Sequence, residues 1–110
     1  MGSPPAGEVL VVTTTLPSEA EAAAVAEAAV GARLAACAQV QGPIRSTFRW
    51  QGQIDHATEW YCHLKTVRDR LPALEQLIRR QHPYDVPEII AVPVVWGGED
   101  YLAWVKREGE

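Results

Sequence analysis

The sequence predicts a single α+β domain with the element order β-α-β-β-α-β and one additional C-terminal helix. Three observations lead there. The chain opens on a β-branched run, Val9-Leu10-Val11-Val12, followed by three threonines. Its middle is a long period-two stretch broken once, at Gln51-Gly52. Helical periodicity flanks that stretch on both sides, and a second apolar run, Glu88-Ile89-Ile90-Ala91-Val92, follows. At 110 residues the chain is one small domain. It is expected to span residues 8–110 behind a disordered Pro-, Gly- and Ala-rich segment at residues 1–7.

Pro17 ends the first strand, and Ser18 with Glu21 three residues on is a capping-box signature for a helix. Ala22, Val25, Ala26, Ala29 and Val30 fall on one side of that helix. Their small side chains allow a close approach to a sheet. Gly31 weakens the helix end, and the chain is expected to return as a strand from about Leu34.

From Pro43 onward Ile44, Ser46, Phe48 and Trp50 point one way, and Arg45, Thr47 and Arg49 the other. Gln51-Gly52 reads as a hairpin turn in which glycine supplies positive φ. The return strand, about Ile54 to Val67, carries Trp60, Cys62 and Leu64 on one face and Tyr61 and Val67 on the other. Apolar groups on both faces predict that helices cover one and a further subunit the other.

Asp69 or Arg70 precedes a second helix with Pro72 in its first turn. Leu74, Leu77, Ile78 and Gln81 are expected on its buried face. In the last strand Pro93 argues for an edge or bulge, and Gly97-Gly98 breaks the pattern. Glu99 and Asp100 suit the start of the final helix by complementing its dipole. Tyr101, Trp104 and Val105 form its apolar stripe. This order is that of a split βαβ, ferredoxin-like sandwich with an antiparallel sheet and a long central hairpin.

Composition excludes several classes. A formal net charge of −4 offers no basic face for nucleic acid. Arg68-Asp69-Arg70 and Arg79-Arg80 read as solvated helix faces. No apolar run approaches the roughly 20 residues of a membrane span. Met1 to Gly7 lacks the features of a secretory signal, so a cytoplasmic location is expected. Cys37 and Cys62 are too few for a disulfide framework. With Cys37 opposite roughly residue 66 of the hairpin, Cys62 lies on the order of 13 Å away along the strand, so both thiols should be reduced.

Trp50, Trp60, Trp96 and Trp104 sit where a small monomer would struggle to cover them. Each aromatic ring buries on the order of 150–250 Å² when packed. Such surface points to association. No nucleophile elbow, HExxH helix, phosphate loop or CxxC pair is present, and a non-enzymatic protein is expected.

The most informative segment is His82-Pro83-Tyr84-Asp85-Val86-Pro87-Glu88. Its two prolines push His82 and Val86 toward extended backbone and make the loop rigid. A preset imidazole suits a metal or anion site. A rigid loop whose polar groups cap one another, or pack between subunits, is the structural alternative.

This segment resembles the signature of the CutA family of small trimeric divalent-cation tolerance proteins. Thr13-Thr14-Thr15-Leu16-Pro17, Arg33-Leu34-Ala35-Ala36-Cys37, Ser46-Thr47-Phe48-Arg49-Trp50-Gln51-Gly52, Lys65-Thr66 and Tyr101-Leu102-Ala103-Trp104 follow the family pattern in order, from about Val9 to Val105. The resemblance implies a homotrimer whose long hairpins reach onto neighbouring subunits. It also implies a role in metal-ion tolerance or response, with copper or another divalent cation as the ion.

In members credited with copper binding, a cysteine in the Thr-x-Pro region and a His doublet before the Pro-Tyr were implicated. Thr14 and Gln81 stand at those positions here. That leaves His82, with Cys37, as the metal-ligand candidates, because thiolate and imidazole suit soft cations. The family pattern further gathers Trp50, Glu59, Lys65, His82, Tyr84 and Trp104, with Cys37, into an expected inter-subunit cleft. Lys65 and Glu59 share a side of one strand but lie six positions apart, so each needs its own partner. The cleft could hold a small anionic ligand, as in the PII signalling trimers that these folds resemble, or an interfacial salt-bridge network.

Overall fold

The computed structural model describes residues 8–108; the segment at residues 1–7 lies outside them. The elements are β1 (Val9–Leu16), α1 (Glu19–Gly31), β2 (Cys37–Trp50), β3 (Gln53–Val67), α2 (Leu71–Gln81), β4 (Ile89–Pro93) and α3 (Glu99–Glu108). The four strands form one antiparallel sheet in the order β2-β3-β1-β4. Pro93 therefore sits at the end of an edge strand, where its missing N–H is tolerated.

The sheet has a covered and an open face, set by strand parity. Even-numbered positions of β1 and β3 point to the helices. Val12, Leu16, Cys62 and Leu64 pack there with Ala22, Val25 and Ala29 of α1 and Leu74, Leu77 and Ile78 of α2. Odd-numbered positions (Val11, Thr13 and Thr15 of β1; Glu59, Tyr61, His63 and Lys65 of β3) occupy the opposite face. Ile90 and Val92 of β4 join them through their register with Thr13 and Val11. One end of this face is roofed, where Val105 of α3 packs on Val9 and Ala36.

Local chemistry explains the element ends. Ser18 caps α1 by accepting from the Glu21 N–H at 3.1 Å, and its hydroxyl donates to the Glu21 carboxylate at 3.0 Å. The other end differs from expectation: α1 runs through Gly31, and Arg33 adopts the left-handed conformation at φ 62°. The Arg33 N–H bonds the Val30 carbonyl and the Leu34 N–H bonds the Ala29 carbonyl, which is a Schellman cap. This cap and the turn after it delay β2 from Leu34 to Cys37.

Two positions assigned to helix stripes are out in solvent. Val30 flanks the buried stripe of α1 and is exposed. Gln81 ends α2 beyond the edge of the core, and the next residue, His82, turns inward instead.

Gln51 (φ 50°) and Gly52 (φ 80°) make the hairpin tip, both in the left-handed region that a two-residue turn of this kind requires. Between Gln41 and Ile44 the register slips by one residue. This bulge switches the parity of β2, so Cys37, Gln39 and Gln41 share the open face with Ile44, Ser46, Phe48 and Trp50. Gly42 belongs there because a Cβ would lie 2.5 Å from the Trp60 ring. β1 ends opposite Trp60, so the outer half of β2 and β3 projects beyond the body as a two-stranded ribbon.

Candidate functional site

The residues expected in one cleft fall into three groups within the protomer. The first is built around the His82–Glu88 loop. His82 caps α2 with extended backbone (φ −84°, ψ 133°), as Pro83 dictates. Its ring is buried and both nitrogens are engaged. Nε2 lies 2.8 Å from the Thr15 carbonyl, which can only accept, so Nε2 donates. Nδ1 accepts from the Tyr84 N–H at 3.2 Å. The imidazole is thus held as the Nε2–H tautomer.

Tyr84 stacks obliquely on His82, with ring centroids 4.9 Å apart, and donates its hydroxyl to Glu59 at 2.9 Å. Burial first, then the hydrogen bond and charge of Glu59, push the Tyr84 phenol up to about 12. Glu59 is only 8% exposed, on the open side of β3. The loop, β1 and β3 are therefore tied together by a chain running Thr15–His82–Tyr84–Glu59.

The second group lies at the other end of β3. Cys37 pairs with Lys65 in the hairpin register, one position from the expected partner. Its Sγ is 3.4 Å from the Tyr101 hydroxyl, and that contact, ahead of burial, raises the Tyr101 phenol. Tyr101 stacks obliquely on Trp104 at 5.8 Å. The Lys65 ammonium donates to the Gln39 side-chain carbonyl. Lys65 and Glu59 are separate, each with its own partner, as their spacing requires.

The third group is Trp50 at the hairpin tip, 61% exposed. Six strand positions separate Lys65 from Glu59, and six more reach Gln53 opposite Trp50, each step about 20 Å.

His82 and Cys37 are accordingly not neighbours. The Thr15 carbonyl that holds His82 is level with Tyr61, whereas Cys37 is level with Lys65, about 13 Å further along β3. Thr14 faces the covered core opposite Cys62, and its hydroxyl is fully buried without a hydrogen-bond partner among the described residues. Both cysteines are free. They also point to opposite faces of the sheet, and burial raises the Cys62 thiol to about 11. Among the described residues no three His, Cys, Asp or Glu side chains converge as metal ligands. No described helix is long and apolar enough to cross a membrane.

Sequence reasoning missed a further polar set on the open face. His63 sits between Thr13 and Gln41, its Nδ1 3.0 Å from the Thr13 hydroxyl and its Nε2 3.1 Å from the Gln41 carbonyl oxygen. The available signal was parity, since His63 shares a strand side with Glu59 and Lys65.

A four-stranded antiparallel sheet with two helices on one face and a polar, aromatic-edged open face defines a ferredoxin-like α+β protein. The chain belongs to the CutA1 divalent ion tolerance protein family, which matches residues 10–108. It is 40% identical over 97 residues to the divalent-cation tolerance protein CutA of Thermus thermophilus, covering 88% of this chain and 94% of that protein. It is 39% identical over 104 residues to mouse protein CutA, covering 94% of this chain and 59% of the mouse protein. Among solved structures, CutA from Xylella fastidiosa superposes with a TM-score of 0.91 at 34% identity, covering 94% of this chain and 99% of that one. The divalent cation tolerance protein from Thermus thermophilus gives 0.89 at 38% identity, covering 91% and 97%.

Proposed function

We propose that this chain acts in divalent-cation tolerance as a non-enzymatic cytoplasmic homotrimer, with copper or another soft divalent ion engaged at clefts between copies. The observation that carries this reading is the apolar surface one protomer leaves in water. Trp50 and Ile54 (66% exposed) lie on the projecting ribbon, and Val95 (94%) and Trp96 (82%) follow the β4 edge. Large apolar side chains exposed in this way on a folded domain mark interfaces, here one at the ribbon tip and one at the β4 edge. An ion between copies would draw donors from more than one protomer, because His82 and Cys37 are too far apart within one. At His82 the ion would replace the Tyr84 N–H on Nδ1, the lone pair of that ring.

Light scattering should return three chain masses at micromolar concentration. Calorimetric titration of the trimer with Cu²⁺ and Zn²⁺ should show binding that Cys37→Ser and His82→Ala each weaken at least about tenfold, about 1.4 kcal/mol. A monomer, or titrations indifferent to both substitutions, would overturn the proposal.

One observation favours a second reading, a PII-like regulatory trimer taking a small anionic ligand in the clefts. Among the described residues Lys65 meets the neutral Gln39 amide and no carboxylate within ion-pair distance. A half-buried ammonium without a counter-charge suits an anion. Binding of a carboxylate or phosphate probe that Lys65→Met abolishes would favour this reading over cation binding.

A further inference from the structure

The outer sides of β2 and β4 pair with no strand among the described residues. An open strand edge is a template for another strand unless charge, proline or cover blocks it. The two edges carry opposite charge. β2 is 14 residues long and holds Arg45 and Arg49 with no acid. The segment from Gln81 to Val105, which contains β4, holds Asp85, Glu88, Glu99 and Asp100 with no Lys or Arg. All of these groups are exposed, and among the described residues none forms an ion pair. The acids of the ribbon belong to β3 and are engaged there, Asp55 by the His56 N–H and Glu59 by Tyr84.

Register places the charges at one height. Ile89 pairs with Thr14, Thr14 with Cys62 and Cys62 with Val40, so these four are level across the sheet. β2 and β4 run in opposite directions. Arg45 and Arg49, which follow Val40, and Asp85 and Glu88, which precede Ile89, therefore lie toward the same ribbon end. Tyr84, beside Asp85, reaches Glu59, and Glu59 is level with Ile44, the neighbour of Arg45. Turning the protomer about an axis along its strands sets its β4 edge antiparallel to the β2 edge of the next copy. The arginines then come level with the acids of that loop. The alternatives, β2 on β2 or β4 on β4, bring like charges together, which repels.

We infer that the two sheet edges are a charge-coded pair. The β2 edge of one copy docks on the β4 edge of a second, with Arg45 and Arg49 against that copy's Asp85 and Glu88. This pairing rests on the trimeric reading above and supplies its contact surfaces. Because the two surfaces differ, each copy offers one to each neighbour, and the contact runs head to tail into a ring. It also brings guanidinium groups of a neighbouring copy to the His82–Glu88 loop, so that loop is complete only in the assembly.

Charge reversal on the full chain, read by sedimentation velocity with circular dichroism as the check on folding, tests this. Arg45→Glu with Arg49→Glu should weaken association at least about a hundredfold, and so should Asp85→Lys with Glu88→Lys. All four substitutions in one chain restore opposite edges and should return the trimer. A monomeric wild type overturns the trimeric reading itself. A trimeric wild type whose reversed variants associate as tightly overturns this inference alone, as does a fourfold variant no better than either pair. If a reversed variant does not fold, wild type in rising NaCl decides. Association should fall steadily toward about 1 M, where the Debye length is about 3 Å, and a trimer indifferent to salt overturns the charge pairing.

Discussion

The two faces of the sheet are built from the same four strands, yet they do opposite work. The covered face is apolar and dry, with Val12, Leu16, Cys62 and Leu64 sealed under α1 and α2. The open face alternates hydroxyls, an imidazole, an ammonium and a carboxylate with the exposed apolar residues Ile90 and Val92. Burial of apolar surface is non-directional and makes the protomer fold. Hydrogen bonds and charges are directional, and their strength depends on what lies over them. The covered face thus carries the stability of the protomer, and the open face leaves directional polar groups for whatever lies over it.

Substitutions can break this division. Leu64→Ala, in the middle of the covered face, should destabilise the protomer by about 2–5 kcal/mol, measured by denaturant unfolding. Val92→Ser, on the open face, should change protomer stability by about 0.5 kcal/mol or less while lowering the fraction of the proposed trimer in sedimentation. Equal losses of protomer stability would erase the distinction.

His82→Ala comes next, at about 1–3 kcal/mol, because it orphans the Thr15 carbonyl and the Tyr84 N–H beneath the loop. Hydrogen exchange at residues 83–88 should rise with it.

The covered face also contains a defect that sharpens the contrast. The Thr14 hydroxyl is buried there without a partner among the described residues, so Thr14→Val should raise stability by about 1 kcal/mol. Away from both faces, nothing lies within 4 Å of a Cβ at Gly31, and Gly31→Ala should add about 0.5–1 kcal/mol as a helix-propensity effect alone.

Alkali tests the loop on the open face. The Tyr84 phenol titrates at 10.0 in the unfolded chain and is pushed up to about 12 in the fold. Its contribution is therefore complete below pH 10 and is lost as pH rises toward 12. Tyr84→Phe should remove that alkaline dependence in pH-resolved thermal melts.

The sequence made the fold readable because local signals agreed with the global one. Ser18 and Glu21 set the start of α1, Gln51-Gly52 set the hairpin, and Pro93 placed β4 at an edge. Within one protomer His82, Tyr84 and Glu59 meet, Cys37, Lys65 and Trp104 gather at the other end of β3, and Trp50 stands apart. Gln81 and Val30 fit helical spacing and still face water, since periodicity assigns a side to a helix without saying where the core stops.

The amino-acid order determined the elements, the parity of each strand and the rigidity of the His82–Glu88 loop, because these depend on contacts a few residues apart. The tertiary structure alone decided which polar groups meet. The bulge at Gly42-Pro43 switches the parity of β2, and the Thr15 carbonyl takes up His82 from 67 residues away. Register across strands is set by how the whole sheet packs, and a slip of one residue moves every side chain beyond it to the other face.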